Sequence, residues 1–155
     1  MLKKINELLK TKEFISVGTC DLKGRPNAAP KFLLKVENNV IYLIDYTRGR
    51  TWDNLKINPR ASLSFMDTDN LTGYQINGST QVIDKGPIFE EIFSELLKKQ
   101  IDLSAMRIIE GVSHEKGHKN FELAIPEKVI IFMVSIEEII EVGPRGEKKA
   151  QKVKI

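Results

Sequence analysis

The sequence predicts a mainly β fold, in which six or seven short strands close into an antiparallel barrel decorated by α-helices. Three observations carry that prediction. Short runs rich in β-branched and alternating residues follow one another, with Gly, Asn and Asp turns between them. Helical periodicity is confined to the N-terminus, one mid-chain segment and the stretch after Pro87, which is not the strand–helix alternation of a doubly wound sheet. Closing such strands into a barrel also removes the edges an open sheet would expose.

Leu2, Ile5, Leu8 and Leu9 recur at helical spacing and predict a short amphipathic helix ending near Lys12. Phe14–Cys20 reads as a strand that turns at Asp21-Leu22-Lys23-Gly24 into a second strand, Asn27 to Val36. Pro30 lies inside that second strand and cannot donate to a ladder, so it marks an edge or a bulge. Glu37-Asn38-Asn39 turns into Val40–Asp45, apolar on both faces and therefore central. A two- to three-turn helix follows, capped by Thr47 or Thr51 and stopped by Pro59. Ala61–Met66 alternates cleanly, and Thr72–Ile83 is a long strand whose Gly78 marks a bulge or barrel corner. Ile88, Phe89, Ile92, Phe93, Leu96 and Leu97 define a strong amphipathic helix after Pro87. A second helical piece and a polar loop, Ser113–Asn120, are expected next. Val129–Val134 and Ile139–Val142 read as two more strands, and residues 143–155 as a basic tail that frays.

The 155 residues suit one domain, 1–155, and 41% hydrophobic with 29% charged residues is the composition of a folding globular chain. The longest apolar run, Val129–Val134, is about a third of a bilayer span, so no membrane partner is expected. The N-terminus has no secretory pattern, which implies a cytoplasmic address. Cys20 is the single cysteine; it excludes an internal disulfide and reads as a small core residue. A net charge of +3 is too small to imply nucleic-acid binding by the whole domain. His114 and His118 stand four apart, but no third metal ligand accompanies them and Gly117 interrupts the helix, so a solvated loop is the expectation and no metal site is assigned.

The segment Asp45–Asn54 carries the chemistry. Arg48 and Arg50 flank Gly49 where a strand passes into a helix N-terminus, with hydroxyls at Thr47 and Thr51. Free helix N–H groups, the positive end of the helix dipole, a glycine that admits close approach and bidentate arginines together make a cradle for a phosphate monoester. The competing reading is that the arginines solvate a loop and Thr51 caps the helix.

The order of these pieces, with Arg48-Gly49-Arg50-Thr51 and the phrase Asn54-Leu55-Lys56-Ile57-Asn58-Pro59-Arg60-Ala61, resembles the FMN-binding split barrel of the pyridoxamine 5'-phosphate oxidase-like family and small FMN-binding proteins. The likeness runs from about Lys10 to Ile83. It implies a six- to seven-stranded antiparallel split barrel with flanking helices. It also implies non-covalent FMN at a homodimer seam, and an oxidoreductase acting on a small soluble substrate or electron acceptor, or taking electrons from a nicotinamide donor. The resemblance places Arg50 and Thr51 on the FMN phosphate, with Asn54 one turn later and Arg48 and Gly49 in support. Ala29-Pro30-Lys31-Phe32 would run beside the isoalloxazine, Asp45 and Tyr46 would border it, and Thr72-Gly73 would step past it. Trp52 fits the interface or the core.

Gly73 stands where the oxidases carry a flavin-contacting glutamine, and neither their Arg-Leu-Ala-Pro-like terminus nor a later tryptophan is present. Vitamin B6 oxidation is therefore not expected, and no catalytic residue is assigned, since the flavin supplies its own redox chemistry. The rival readings are a non-enzymatic FMN electron carrier, a small barrel binding nucleic acid through its basic tail, and the same pocket holding haem or a deazaflavin.

Overall fold

Alternation along the sequence becomes alternation between the inside and the outside of a barrel. The computed structural model describes residues 1–114 and 128–154. It contains α1 (Leu2–Lys10), β1 (Phe14–Cys20), β2 (Pro26–Glu37), β3 (Val40–Asp45), α2 (Arg50–Ile57), β4 (Arg60–Asp67), β5 (Thr72–Ile83), α3 (Pro87–His114), β6 (Ile130–Val142) and β7 (Lys148–Lys152). The strands pair in the order β3-β2-β1-β4-β5-β6-β7, and β3 also pairs with β6. Six antiparallel strands thus close a barrel, and β7 is a further strand outside it.

Ile15 and Val17 of β1, Leu33 of β2, Leu43 of β3, Leu63 of β4, Ile76 of β5 and Phe132 of β6 fill the interior, all at 2% exposure or less. Ile5 and Leu9 of α1 join the same cluster, so α1 plugs the end of the barrel where β1 begins. Leu55 of α2 and half-buried Trp52 join it from the opposite end. A second cluster lies outside the barrel wall, where Phe32, Leu34, Ile44 and Ile131 pack under Ile92 and Leu96 of α3.

Pro30 pairs only with Ser16 of β1, because the pairing of β2 with β3 starts at Phe32. The missing donor therefore falls on a free edge. The turn before β3 uses positive φ at Asn38 (50°) and Asn39 (63°), which asparagine tolerates. At Gly78 the β5–β6 register shifts, and a Cβ there would lie 2.2 Å from the Ser135 carbonyl oxygen. The slip falls where β6 leaves β3, whose last partner is Ser135, and goes on to β7 from Glu138.

Four expectations are corrected. Helix α3 is continuous over Pro87–His114, because no glycine or proline interrupts residues 88–110; past Lys99 its apolar stripe is only partly covered, Leu103 packing on the second cluster while Ile101 and Met106 are exposed. Ile130–Val142 is one strand, since Glu137 and Glu138 interrupt its hydrophobicity without breaking its extension. The basic tail pairs with β6 over Lys148–Lys152, where main-chain bonding supplies the order that burial does not. Cys20 is half-buried, and its carbonyl and sulfur both accept from the Asn58 amide (3.2 and 3.3 Å). The expected loop Ser113–Asn120 and His118 lie largely outside the described residues.

Candidate functional site

The site is built where β1 ends, β2 begins and β3 hands over to α2. Gly49 is the N-cap of α2, and no side chain caps the helix. Neither threonine takes the capping role expected of it. The Thr47 main-chain N–H and hydroxyl both donate to Asp45 Oδ1 (3.2 and 3.3 Å), folding the loop back on its own strand. Thr51 lies inside the first turn, 2% exposed, and its hydroxyl accepts from Asn27 Nδ2 of β2 (3.1 Å). The first-turn N–H groups of α2 are thus left without a side-chain acceptor at the positive end of the helix dipole.

The four cations of the region are in different states. Lys31 Nζ and Asp45 Oδ2 form a buried pair at 2.5 Å, so Lys31 is already committed to a carboxylate inside the wall. Arg48 reaches Asp84 at 3.6 Å and lies over the Trp52 ring at 5.3 Å. Arg25 is held by Asp21 at 2.6 Å. Arg50 is exposed and, among the described residues, makes no ion pair. It lines a cavity of about 610 Å³ together with Asn27, Asn54, Arg25, Asp21 and Asp53.

A second, shallower cavity of about 620 Å³ opens beside the first and shares Pro26 and Asn27 with it. Most of its lining is small (Gly18, Ala28, Ala61, Ser62 and Gly78), joined by Thr19, Cys20, Asn77 and Arg60. A charged cavity at a helix N-terminus thus continues into an apolar shelf.

The other expected residues divide. Asn54 is buried and its amide donates to Thr19 Oγ1 (3.1 Å), fastening α2 to β1 beneath the cavity it lines. Ala29 is half-buried next to exposed Pro30 on the free edge of β2. Tyr46 is exposed at the loop, though partly covered, and its hydroxyl accepts from Gln100 Nε2 of α3 (2.5 Å). Burial pushes that phenol above its ordinary 10.0, against the opposing pull of the Gln100 amide, so it is neutral at physiological pH.

Phe32 does not face the cavities; it is buried under α3 and meets Phe14 edge-on at 5.8 Å. Thr72 and Gly73 lie at the far end of the barrel. Arg60 pairs with Ser79, whereas Asp67 pairs with Thr72, so the Thr72 end of β5 is seven residues, about 23 Å, from the α2 end. Neither lines either cavity, the nearest lining residue on their strand being Asn77, four residues or about 13 Å beyond Gly73.

Thr19 and Asn27 line the cavities without having been expected there, and Asp84 and Gln100, which line neither, anchor Arg48 and Tyr46. Each is a polar residue whose partner lies 24 or more positions away, and no local pattern announces such a pairing. Among the described residues no three His, Cys, Asp or Glu side chains are grouped to hold a metal, and no helix is long and apolar enough to cross a membrane.

Solved structures share the architecture. A protein from Clostridium acetobutylicum related to general stress protein 26, of the pyridoxinephosphate oxidase family, superposes with a TM-score of 0.69 at 18% identity, covering 98% of this chain and 94% of its own. A pyridoxamine 5'-phosphate oxidase-related, FMN-binding protein from Nostoc punctiforme gives 0.56 at 12% identity, covering 97% and 92%. A heme-binding protein from Mycobacterium smegmatis gives 0.60 at 12% identity, covering 92% of this chain and 54% of that one. At these identities the likeness shows the fold alone. No curated protein matches the sequence. The sequence profile described as pyridoxamine 5'-phosphate oxidase matches residues 1–130, which carry both cavities and the α2 loop, and the chain therefore belongs to the pyridoxamine 5'-phosphate oxidase family.

Proposed function

We propose that this protein binds FMN non-covalently as a homodimer and acts as an oxidoreductase on a small soluble substrate, with a nicotinamide as electron donor. The observation that carries the proposal is the junction of two unlike cavities at Pro26 and Asn27. One offers an unpaired guanidinium, Arg50, beside free helix N–H groups; the other offers a shelf of small side chains. FMN has the matching division, a dianionic phosphate at one end and a flat apolar ring at the other.

Bound there, the flavin supplies the transfer of electrons or hydride. Arg50 and the α2 N–H groups hold the phosphate, and Asn27, fixed to Thr51, sets the distance between phosphate and shelf. Lys31, neutralised by Asp45, stiffens the wall rather than adding net charge to it. Tyr46 lines neither cavity; its hydroxyl is held by Gln100 of α3 and steadies the loop that leads to Gly49. A homodimer fits the remaining geometry, because the Thr72–Gly73 corner of a second copy can approach a shelf whose Asn77 edge lies about 13 Å from the Gly73 of its own copy.

The competing occupant is haem, since a protein of this fold is described as heme-binding. Among the described residues lining either cavity there is no histidine, and the one sulfur, Cys20, already accepts from Asn58. That chemistry favours flavin.

Titration of the flavin-free protein with FMN, followed by quenching of flavin fluorescence, tests the reading. Arg50→Ala is expected to weaken FMN by about 1.5–3 kcal/mol, the worth of a charged hydrogen bond, and to leave riboflavin, which lacks the phosphate, unaffected. Equal FMN affinity for the two proteins, or uptake of haem in preference to FMN, would overturn the proposal. Oxidation of NADH or NADPH by the loaded protein separates an enzyme from a passive electron carrier.

A further inference from the structure

Strand β7 lies outside the residues that the family profile matches and outside the closed barrel. It pairs with β6 through Glu138–Val142 and, among the described residues, its other edge is unpaired. All five of its residues are exposed. The strand is nevertheless fixed at both ends: Gly143 N–H donates to the Glu147 carbonyl and Val153 N–H donates to the Glu137 carbonyl, both at 2.8 Å.

These two bonds set the phase of the edge. In an antiparallel pair successive residues turn their main-chain groups alternately toward and away from the partner. Glu147 and Val153 face β6, so Lys149 and Gln151 do as well. Lys148, Ala150 and Lys152 therefore present their N–H and C=O groups outward, a ready template for one more strand.

The charge selects what can occupy it. Residues 145–154 hold Arg145, Lys148, Lys149, Lys152 and Lys154 against the single acid Glu147. Exposed lysines keep neutral strands off an edge and admit an acidic one. A second copy of β7, paired antiparallel about Ala150, would set lysine opposite lysine. Single-stranded nucleic acid would want aromatic platforms for its bases, and Lys-Lys-Ala-Gln-Lys has none.

We propose that the outer edge of β7 is a docking site for an extended acidic peptide segment of a partner protein, added as a strand through the main-chain groups of Lys148, Ala150 and Lys152. The main chain supplies the affinity and the lysines supply the selection.

The test uses the whole chain and labelled hexapeptides of alternating Glu and Val or alternating Lys and Val, read by fluorescence anisotropy. The Glu–Val peptide should bind and the Lys–Val peptide should not. Ala150→Pro removes one outward N–H while keeping every charge and every bond to β6, and proline is tolerated at such an edge; it should weaken the Glu–Val peptide at least tenfold with an unchanged circular dichroism spectrum and melting temperature. Lys148→Glu with Lys152→Glu, both at exposed positions, should reverse the preference to the Lys–Val peptide, and this variant serves whether or not the proline variant folds. The proposal is overturned if folded A150P binds the acidic peptide as tightly as the parent, if the charge reversal leaves the preference unchanged, or if an oligothymidine displaces the peptide and is itself indifferent to A150P.

Discussion

At one end of the barrel α1 inserts Ile5 and Leu9 among the interior side chains, and its rim is tied by Lys4 and Tyr74 to a single carboxylate, Glu141. At the other end α2 inserts only Leu55 and part of Trp52, and its rim consists of Asn27, Thr51, Asn54 and Thr19 bonded to one another around a cavity. Two short helices thus meet the same barrel for different ends. At the α1 end Lys4, Tyr74 and Glu141 satisfy one another, although Asn6 Oδ1 is buried without a hydrogen-bond partner among the described residues; the α2 end presents Arg50 without an ion pair and first-turn N–H groups without a side-chain cap. The contrast separates what holds the fold from what equips it.

The sharpest way to break this contrast is Lys31→Met. Lys31 and Asp45 are each 9% exposed, so removing the cation strands a buried carboxylate, and a loss of about 3–5 kcal/mol is expected in urea unfolding. The double variant Lys31→Met with Asp45→Leu should recover most of that loss, because two apolar groups replace a pair with no charge left over. A double variant as unstable as the single would mean that Asp45 matters chiefly through the loop bonds it makes to Thr47.

Leu9→Ala tests the plugged end. Leu9 is 1% exposed within the interior cluster, and its truncation should cost about 2–5 kcal/mol. Flavin affinity, measured on the folded fraction, should not change. Arg50→Ala should do the opposite: a stability change within about 0.5 kcal/mol, as for exposed positions in general, with the loss appearing in FMN binding. If Leu9→Ala weakened FMN as much as Arg50→Ala does, the two ends would not be separable.

The sequence and the structure agree most closely where alternation is strict and glycine is forced. The strands β1 and β5 follow from their patterns to the residue, and Gly78 marks the slip because a side chain there would strike the Ser135 carbonyl. Agreement fails where a residue's face is set by its neighbours. Lys31-Phe32-Leu33-Leu34 shows no alternation, since β2 is covered inside by the barrel core and outside by α3, so nothing in the run tells that Phe32 turns from the site. Thr47 and Thr51 are both competent caps, and only the positions of Asp45 and Asn27 decide that neither serves. The pairing of β7 is illegible for a third reason: a strand with no buried face has no hydrophobic signature, and its order comes from the ladder to β6.

The smallest effect sharpens the α1 end. The Lys4 ammonium donates to Glu141 at 3.1 Å and the Tyr74 hydroxyl at 3.0 Å, and the Lys4 bond is the chief reason the Glu141 carboxyl is held below its ordinary 4.5, partial burial opposing it. The folded state therefore takes up its proton at lower pH than the unfolded chain. The stabilisation is complete above the ordinary value and is lost as the pH falls through the lower, folded one. With Lys4 half exposed, solvent screening keeps the gain to about 0.2–1 kcal/mol. Lys4→Met should flatten the acid limb of the stability profile by that amount, leaving the neutral-pH melting temperature lower by only a degree or so. Glu141→Gln should flatten it equally and make a further Lys4→Met without effect. An acid limb that survives both changes would assign it to the remaining carboxyls held low near this end, Asp67, which accepts from the Asn70 amide at 2.8 Å, and Glu7 of α1, which accepts from Lys10 at 2.8 Å; Asp67→Asn would then tell whether the limb answers to the β4–β5 turn or to the helix that closes the barrel.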